Sequence, residues 1–211
     1  MAMIKNTQNV GPNRLNFSQS GRNSGSKHLF LALGANISGL WGSPEHTLLR
    51  AVRELAQSGL PPLRCSRFFR TRPLGGLPQP DFVNAVLMTR ANLPPMAVLR
   101  LAKRLEWKAG RRPGRTAGPR PLDIDLIDHG GRRFGWPPAA YRRGKLILPH
   151  PEAHRRAFVL IPLAQIAPGW RHPVLGTSAS TLMTDLAPRE RRHIRAKPLI
   201  SRRSRAKTKQ R

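Results

Sequence analysis

The chain has 211 residues, of which 38 are Lys or Arg and 10 are Asp or Glu, a net charge of +28 at pH 7. That length suits one ordinary domain with a buried core and flanking tails; no apolar run approaches the ~18 residues of a membrane span, and no apolar leader opens the chain. The single cysteine, Cys65, excludes an internal disulfide and a cysteine metal cluster and fits a reducing, cytoplasmic setting.

The charge is unevenly spread. Residues 1–27 carry four bases and no acid, residues 189–211 carry eleven bases and one acid, and the stretch between them carries +14. A core this basic attracts anions such as nucleotides, phosphates or nucleic acid. Residues 1–27 are polar, lack a hydrophobic period and read as a disordered extension without the Arg-lined helix of a transit peptide. Residues 189–211 read as a basic, disordered tail; a solvated end is the favoured reading over a nucleic-acid contact, and removing the tail should leave catalysis intact.

Residues 29–33 are a short apolar run closed by Gly34, as a buried strand is. Ser43-Pro44-Glu45 marks a helix start: a capping hydroxyl, proline at the first helical position, then an acid in the first turn. Leu48, Leu49, Val52 and Leu55 continue it at helical spacing, and Gly59-Leu60-Pro61-Pro62 stops it. Residues 63–72 predict one strand containing Phe68 and Phe69, and residues 74–80 hold too many Gly and Pro for regular structure. A strand over 82–91 is followed by a helix opened by Pro94 and Pro95, with Leu99, Ala102 and Leu105 on one face. Gly110 ends that helix, 111–115 form a basic loop, and 122–127 predict a strand that stops before Asp128. Residues 130–145 are a basic excursion, and short helices are expected near 152–166 and 178–187. Strand, helix, strand, strand, helix, strand is the split pattern of an α+β, ferredoxin-like domain over 28–188: an antiparallel βαββαβ sheet with helices packed on one face.

The segment Gly118-Pro119-Arg120-Pro121-Leu122-Asp123-Ile124-Asp125-Leu126 carries the chemistry. Residues two apart in a strand share a face, so Asp123 and Asp125 stand side by side, about 7 Å apart by strand rise. Leu122, Ile124 and Leu126 take the core face. Adjacent carboxylates repel unless a cation lies between them. A small set of hard oxygen ligands with room for water and phosphate suits Mg²⁺. The alternative is a solvent-facing pair on an edge strand; the apolar opposite face, the Gly- and Arg-rich loop ahead of it and the scarcity of acids favour function.

Three more segments accompany this one: Leu33-Gly34-Ala35-Asn36; Phe69-Arg70-Thr71-Arg72-Pro73-Leu74 running on to Gln79-Pro80-Asp81-Phe82-Val83-Asn84-Ala85; and Leu148-Pro149-His150-Pro151 with Arg156-Ala157-Phe158 and Pro162-Leu163. Together, in this order over about residues 29–175, the four resemble the bacterial 6-hydroxymethyl-7,8-dihydropterin pyrophosphokinase family. The resemblance implies a ferredoxin-like fold, ATP as co-substrate with two Mg²⁺ ions, attack of the pterin hydroxyl on the β-phosphorus, release of AMP, and a monomer. It implies Asp123 and Asp125 as metal ligands, with Arg111 and Arg120 beside them as catalytic residues. It implies Thr71, Leu74, Phe82, Asn84 and Phe158 as pterin contacts. Gln79, Glu106, Arg112, Arg120, His150 and Arg156 fall on the nucleotide side, with the choice between Arg111 and Arg112 open. Thr116 and Ala117 stand where the family often has Arg-Trp, which removes a stacking lid over the pterin, and Arg115 stands beside them. His129 and His172 receive no role.

Two other readings are a relative that kept this fold without activity and a basic, RNA-associated ferredoxin-like protein. The chain lacks the aromatic motifs of RNA-recognition modules, and an exposed Asp pair repels phosphate unless metal neutralises it.

Overall fold

The computed structural model describes residues 28–73, 78–112, 118–136 and 146–197. Leu74, Arg115, Thr116 and Ala117 lie outside the described residues, as do 1–27 and 198–211 of the two chain ends expected to be disordered.

Strand β1 (His28–Ala35) is followed by α1 (Pro44–Gln57), β2 (Pro62–Cys65), β3 (Phe69–Thr71), β4 (Phe82–Arg90), α2 (Pro95–Lys108) and β5 (Asp123–His129). Then come a 3-10 turn (Ala153–Arg155), α3 (Ala157–Ile166), α4 (Ala179–Asp185), α5 (Pro188–Arg192) and β6 (Ile194–Ala196). The sheet runs β5-β1-β4-β3-β6, with β2 also on β4, and every pair is antiparallel. Among the described residues no helix is long and apolar enough to cross a membrane.

The central strand β1 is buried on both faces. Leu29, Leu31 and Leu33 enter one core with Leu48, Val52 and Leu55 of α1 and Val98, Leu101 and Leu105 of α2. Phe30 and Ala32 enter a second core with Val86, Ile127 and Val159, Leu163 and Ile166 of α3. Helices therefore cover both faces, not one as expected. The sequence could not reveal this, because α3 reads Ala-Phe-Val-Leu-Ile-Pro-Leu-Ala-Gln-Ile, apolar all round, and no stripe says what it packs against.

The start of α1 is built as its residues predict: the Ser43 hydroxyl accepts the His46 N–H at 3.5 Å, Pro44 opens the helix, and Gly59 turns the chain at φ +89. The single strand expected over 63–72 is two, β2 and β3. Between them the Ser66 hydroxyl accepts the Val86 N–H at 2.9 Å and donates to the Arg67 carbonyl at 2.8 Å. A side chain thus takes a ladder hydrogen bond, and the backbone leaves the strand.

Strand β5 begins at Asp123 and continues past its expected end. The register shifts opposite Phe30/Leu31, so that Phe30 pairs with Asp128 and Leu31 with Leu126. This bulge sends Ile127 and Asp128 to the same side, where Asp128 is 4% exposed. Its carboxylate accepts the Trp170 indole N–H at 2.8 Å and the Gly131 N–H at 3.0 Å. Residues expected in the disordered tail also have structure: α5 and β6 extend the described chain to Lys197, and β6 pairs with β3 from Phe69↔Ala196 to Thr71↔Ile194.

Candidate active site

At one end of the sheet β1 and β3 finish while β4 and β5 begin, and the register lines up their side chains. One row runs Ala196, Phe69, Asn84, Gly34, Asp123, one residue from each of five strands. A parallel row runs Ile194, Thr71, Phe82, and a third places Asp125 beside Ala32 and Val86. Directly opposed residues share a face, and Ala32 and Val86 lie in the α3 core, so all three rows face α3.

Gly34 makes this row possible. A Cβ there would meet the Asn84 Oδ1 at 2.9 Å, with the Asp123 Cβ 4.0 Å away. Only a residue without a side chain lets the Asn84 amide lie across β1. That amide is fixed from the other side: its Nδ2 donates to the Thr71 Oγ1 at 2.7 Å, and both residues are buried, at 5% and 4% exposure. Phe82, half-buried, stands one position along β4.

Asp123 and Asp125 share this face, as strand geometry requires, yet their surroundings differ. The Asp123 Oδ1 accepts from Arg111, and the Arg120 Nη1 donates to its Oδ2 at 2.8 Å. Burial alone would raise the Asp123 carboxyl, but the two guanidiniums outweigh it and hold it below the usual carboxylate range. The His150 imidazole faces Asp125, with Nε2 at 3.9 Å from Oδ2. Burial, then the charge of Asp123, pushes the Asp125 carboxyl up to about 6.

His150 is anchored to β5 by its backbone N–H, which donates to the Ile127 carbonyl at 2.9 Å. Its Nδ1 accepts the Glu152 N–H at 3.2 Å, so the ring proton sits on Nε2, facing Asp125. Burial, with Arg156 nearby, lowers its pKa to about 4, and His150 is a neutral donor at physiological pH. Arg156 caps the start of α3, and its guanidinium carbon lies 5.6 Å from the centre of the Phe158 ring.

Glu106 reaches the site from α2. It is 3% exposed; its Oε1 accepts the Ile124 N–H at 2.9 Å, and its Oε2 lies 2.8 Å from the Arg111 Nη1. The ammonium of Lys103 adds contacts at 2.9 and 3.1 Å. Glu106 thus fixes the strand between the two aspartates and aims Arg111 at Asp123. Of the two neighbouring arginines, Arg111 joins the carboxylates, while Arg112 stacks 4.2 Å over the Trp107 ring.

Asn36 and Lys103 received no role from the sequence, and both organise this end of the sheet. Asn36 is 3% exposed. Its amide donates to the Gln79 Oε1 at 3.0 Å and the Pro80 carbonyl at 3.1 Å, and its Oδ1 accepts the Arg120 N–H at 2.7 Å. One side chain thereby ties β1 to the segments on either side of it. Its place in Leu33-Gly34-Ala35-Asn36 was the available signal; Lys103 offered none, being one more lysine on a basic helix.

The metal hypothesis can be tested on the donors. Among the described residues no group of three or more His, Cys, Asp and Glu side chains could hold a metal ion. Two carboxylates alone leave most of a coordination shell to water and phosphate oxygens, as Mg²⁺ prefers. The raised pKa of Asp125 marks a carboxylate that a cation would stabilise. The residues therefore fit, on the condition that Arg111 or Arg120 yields an oxygen of Asp123.

Carboxylates for a cation, with guanidiniums and a neutral imidazole as donors to anionic oxygen, equip an enzyme that moves phosphoryl groups. The chain belongs to the 7,8-dihydro-6-hydroxymethylpterin-pyrophosphokinase (HPPK) family, matched over residues 30–168. It is 38% identical over 154 residues to the 2-amino-4-hydroxy-6-hydroxymethyldihydropteridine pyrophosphokinase of Synechocystis sp., covering 72% of this chain and 73% of that relative. The Haemophilus influenzae protein of the same name is 33% identical over 141 residues, 65% of this chain and 80% of the relative. Among solved structures, Plasmodium falciparum HPPK-DHPS with pteroate superposes with a TM-score of 0.55 at 13% identity. That likeness concerns the fold; it covers 78% of this chain and 43% of the longer Plasmodium chain.

Proposed function

We propose that the chain transfers pyrophosphate from ATP to the hydroxymethyl group of 6-hydroxymethyl-7,8-dihydropterin, releasing AMP, as a step of folate biosynthesis. The observation that carries this reading is the unequal Asp123–Asp125 pair, one carboxylate held by two arginines and the other with its charge disfavoured by burial and by its neighbour. Two Mg²⁺ ions held by Asp123 and Asp125 would neutralise the triphosphate and stabilise the charge that develops in transfer. Arg111 and Arg120, already at the pair, turn their remaining donors to phosphate oxygens. Neutral His150 donates its Nε2–H to a phosphate oxygen without adding charge, and Arg156 supplies a cation from the start of α3. Glu106 keeps Arg111 aimed and Gln79 lines the nucleotide side. Arg112, 4.2 Å over the Trp107 ring, is a further arginine on the nucleotide side.

On the pterin side, the Asn84 amide and Thr71 hydroxyl read the polar edge of the ring, while Phe82 and Phe158 take its faces. By the family resemblance, Leu74 is a further pterin contact. The antiparallel order β5-β1-β4-β3 supports the ferredoxin-like assignment. By the family resemblance the protein is read as a monomer, its single cysteine fits a reducing cytoplasm, and a nucleic-acid contact by its basic tail stays the less favoured reading.

Product analysis with Mg-ATP and 6-hydroxymethyl-7,8-dihydropterin tests this, with Asp125→Ala as the control. Pterin-dependent AMP, lost in the variant, is the expected result. Pterin-dependent ADP would mean single-phosphoryl transfer, and no turnover by the folded chain would overturn the assignment.

A further inference from the structure

Residues 169–197 lie outside the stretch matched to the family, yet through β6 they close the sheet beside the residues proposed as pterin contacts. Strand β3 is only three residues long. It does not continue β2, because Ser66 breaks the ladder between them. Without β6 it would be a short edge strand held by β4 alone.

Ile194 stands opposite Thr71, whose other neighbour is Phe82. It also packs into an apolar cluster with Leu160 of α3 and Leu182 and Leu186. One side chain therefore bears on the strand that carries Thr71 and on the helix that carries Phe158. The middle of the β3–β6 pair gives no support from its charges: Arg70 lies directly opposite Arg195, both exposed, and like charges in that position repel. The junction is held at its ends. At one end is Ile194. At the other the Lys197 N–H donates to the Phe68 carbonyl at 2.9 Å, and the Lys197 ammonium pairs with Glu45 at the start of α1.

We infer that Ile194 is a positioning residue for the pterin side of the site: it holds β3 against α3, and with β3 the Thr71 hydroxyl that accepts the Asn84 amide. This rests on Thr71, Phe82, Asn84 and Phe158 being the pterin contacts. It also replaces the expectation that residues 189–211 are dispensable for catalysis, since β6 lies within them. A small displacement of a binding group is enough to weaken capture of its ligand.

The test uses the full chain carrying Ile194→Ala, Ile194→Val and Arg195→Pro. The last removes a backbone donor from the β3–β6 ladder. Steady-state kinetics should show the KM for the pterin rising about fivefold in Ile194→Ala, the KM for ATP within about twofold of wild type, and Ile194→Val close to wild type. Hydrogen exchange should show faster exchange of the amides of residues 69–71 and 84 in Ile194→Ala, without substrate present. Unchanged exchange at β3 would overturn the inference, as would a fall in kcat with both KM values unchanged, the mark of a smaller folded fraction. If Arg195→Pro does not fold, Ile194→Ala decides alone. If wild type makes no AMP from pterin, the functional assignment fails, and exchange at β3 still decides whether Ile194 holds the strand.

Discussion

Strand β5 carries Asp125 and Asp128 three residues apart, and their surroundings are built on opposite terms. Asp128 and Asp125 both face the α3 side, and burial raises the carboxyl of each. Asp128 has a donor for each oxygen, the Trp170 indole and the Gly131 amide. Asp125 faces a neutral imidazole 3.9 Å away, and among the described residues no closer cation pairs with it. A buried carboxylate whose lone pairs are taken closes a turn and pins a side chain. One left wanting, next to a second negative charge, costs the fold stability and is kept for what it can hold. Burial alone does not separate Asp128 from Asp125; the donors around each do.

The comparison can be broken by exchanging the consequences of the two sites. Asp125→Asn should lower kcat at least about a thousandfold while leaving the chain as stable as wild type or more so, measured by AMP release and urea unfolding. Asp128→Ala should do the reverse. It leaves two buried donors without an acceptor, costing about 2–3 kcal/mol in urea unfolding, with kcat within about twofold of wild type. A thousandfold loss of kcat in a folded Asp128→Ala chain would erase the distinction. The pH dependence sharpens it further. The Asp125 carboxyl titrates at about 6 in the folded chain against an ordinary value of 3.8, so between those values the folded state holds more protons than the unfolded one. Without Mg²⁺, wild-type stability should therefore fall relative to Asp125→Asn as pH rises from about 4 to about 6. The two should converge below that range. The side chain is 29% exposed, so solvent screening limits the difference to the order of 2 kcal/mol. The smallest effect is Trp170→Phe, which keeps the ring but removes one donor to Asp128, costing about 1 kcal/mol in unfolding with activity unchanged.

The alternation of Leu122, Ile124 and Leu126 with Asp123 and Asp125 was enough to put both carboxylates on one face, and the order of elements through β5 was legible from apolar runs and their Gly and Pro stops. What the residues could not show was the inequality of the pair. It depends on Arg111 and Arg120 reaching Asp123 from a helix end and a loop, and no periodicity reports where a long side chain in a loop will point. The break at Ser66 and the bulge opposite Phe30 escaped for a related reason: each hinges on one register shift or one hydroxyl between strands distant in sequence. The strand β6 was hidden by its own composition, since Ile-Arg-Ala inside an arginine-rich stretch reads as solvated tail until β3 offers it an edge.

The row of Ala196, Phe69, Asn84, Gly34 and Asp123 takes one residue from each of five strands, which makes the site intolerant of length change. Adding or deleting a single residue within β1, β4 or β5 between the row and the body of the strand would turn that strand's member to the opposite face. A two-residue change would restore the face but carry the side chain about 7 Å along the strand, out of line with its neighbours. Insertions compatible with this arrangement belong in the connecting loops, where they can alter reach and closure without moving the line of side chains itself.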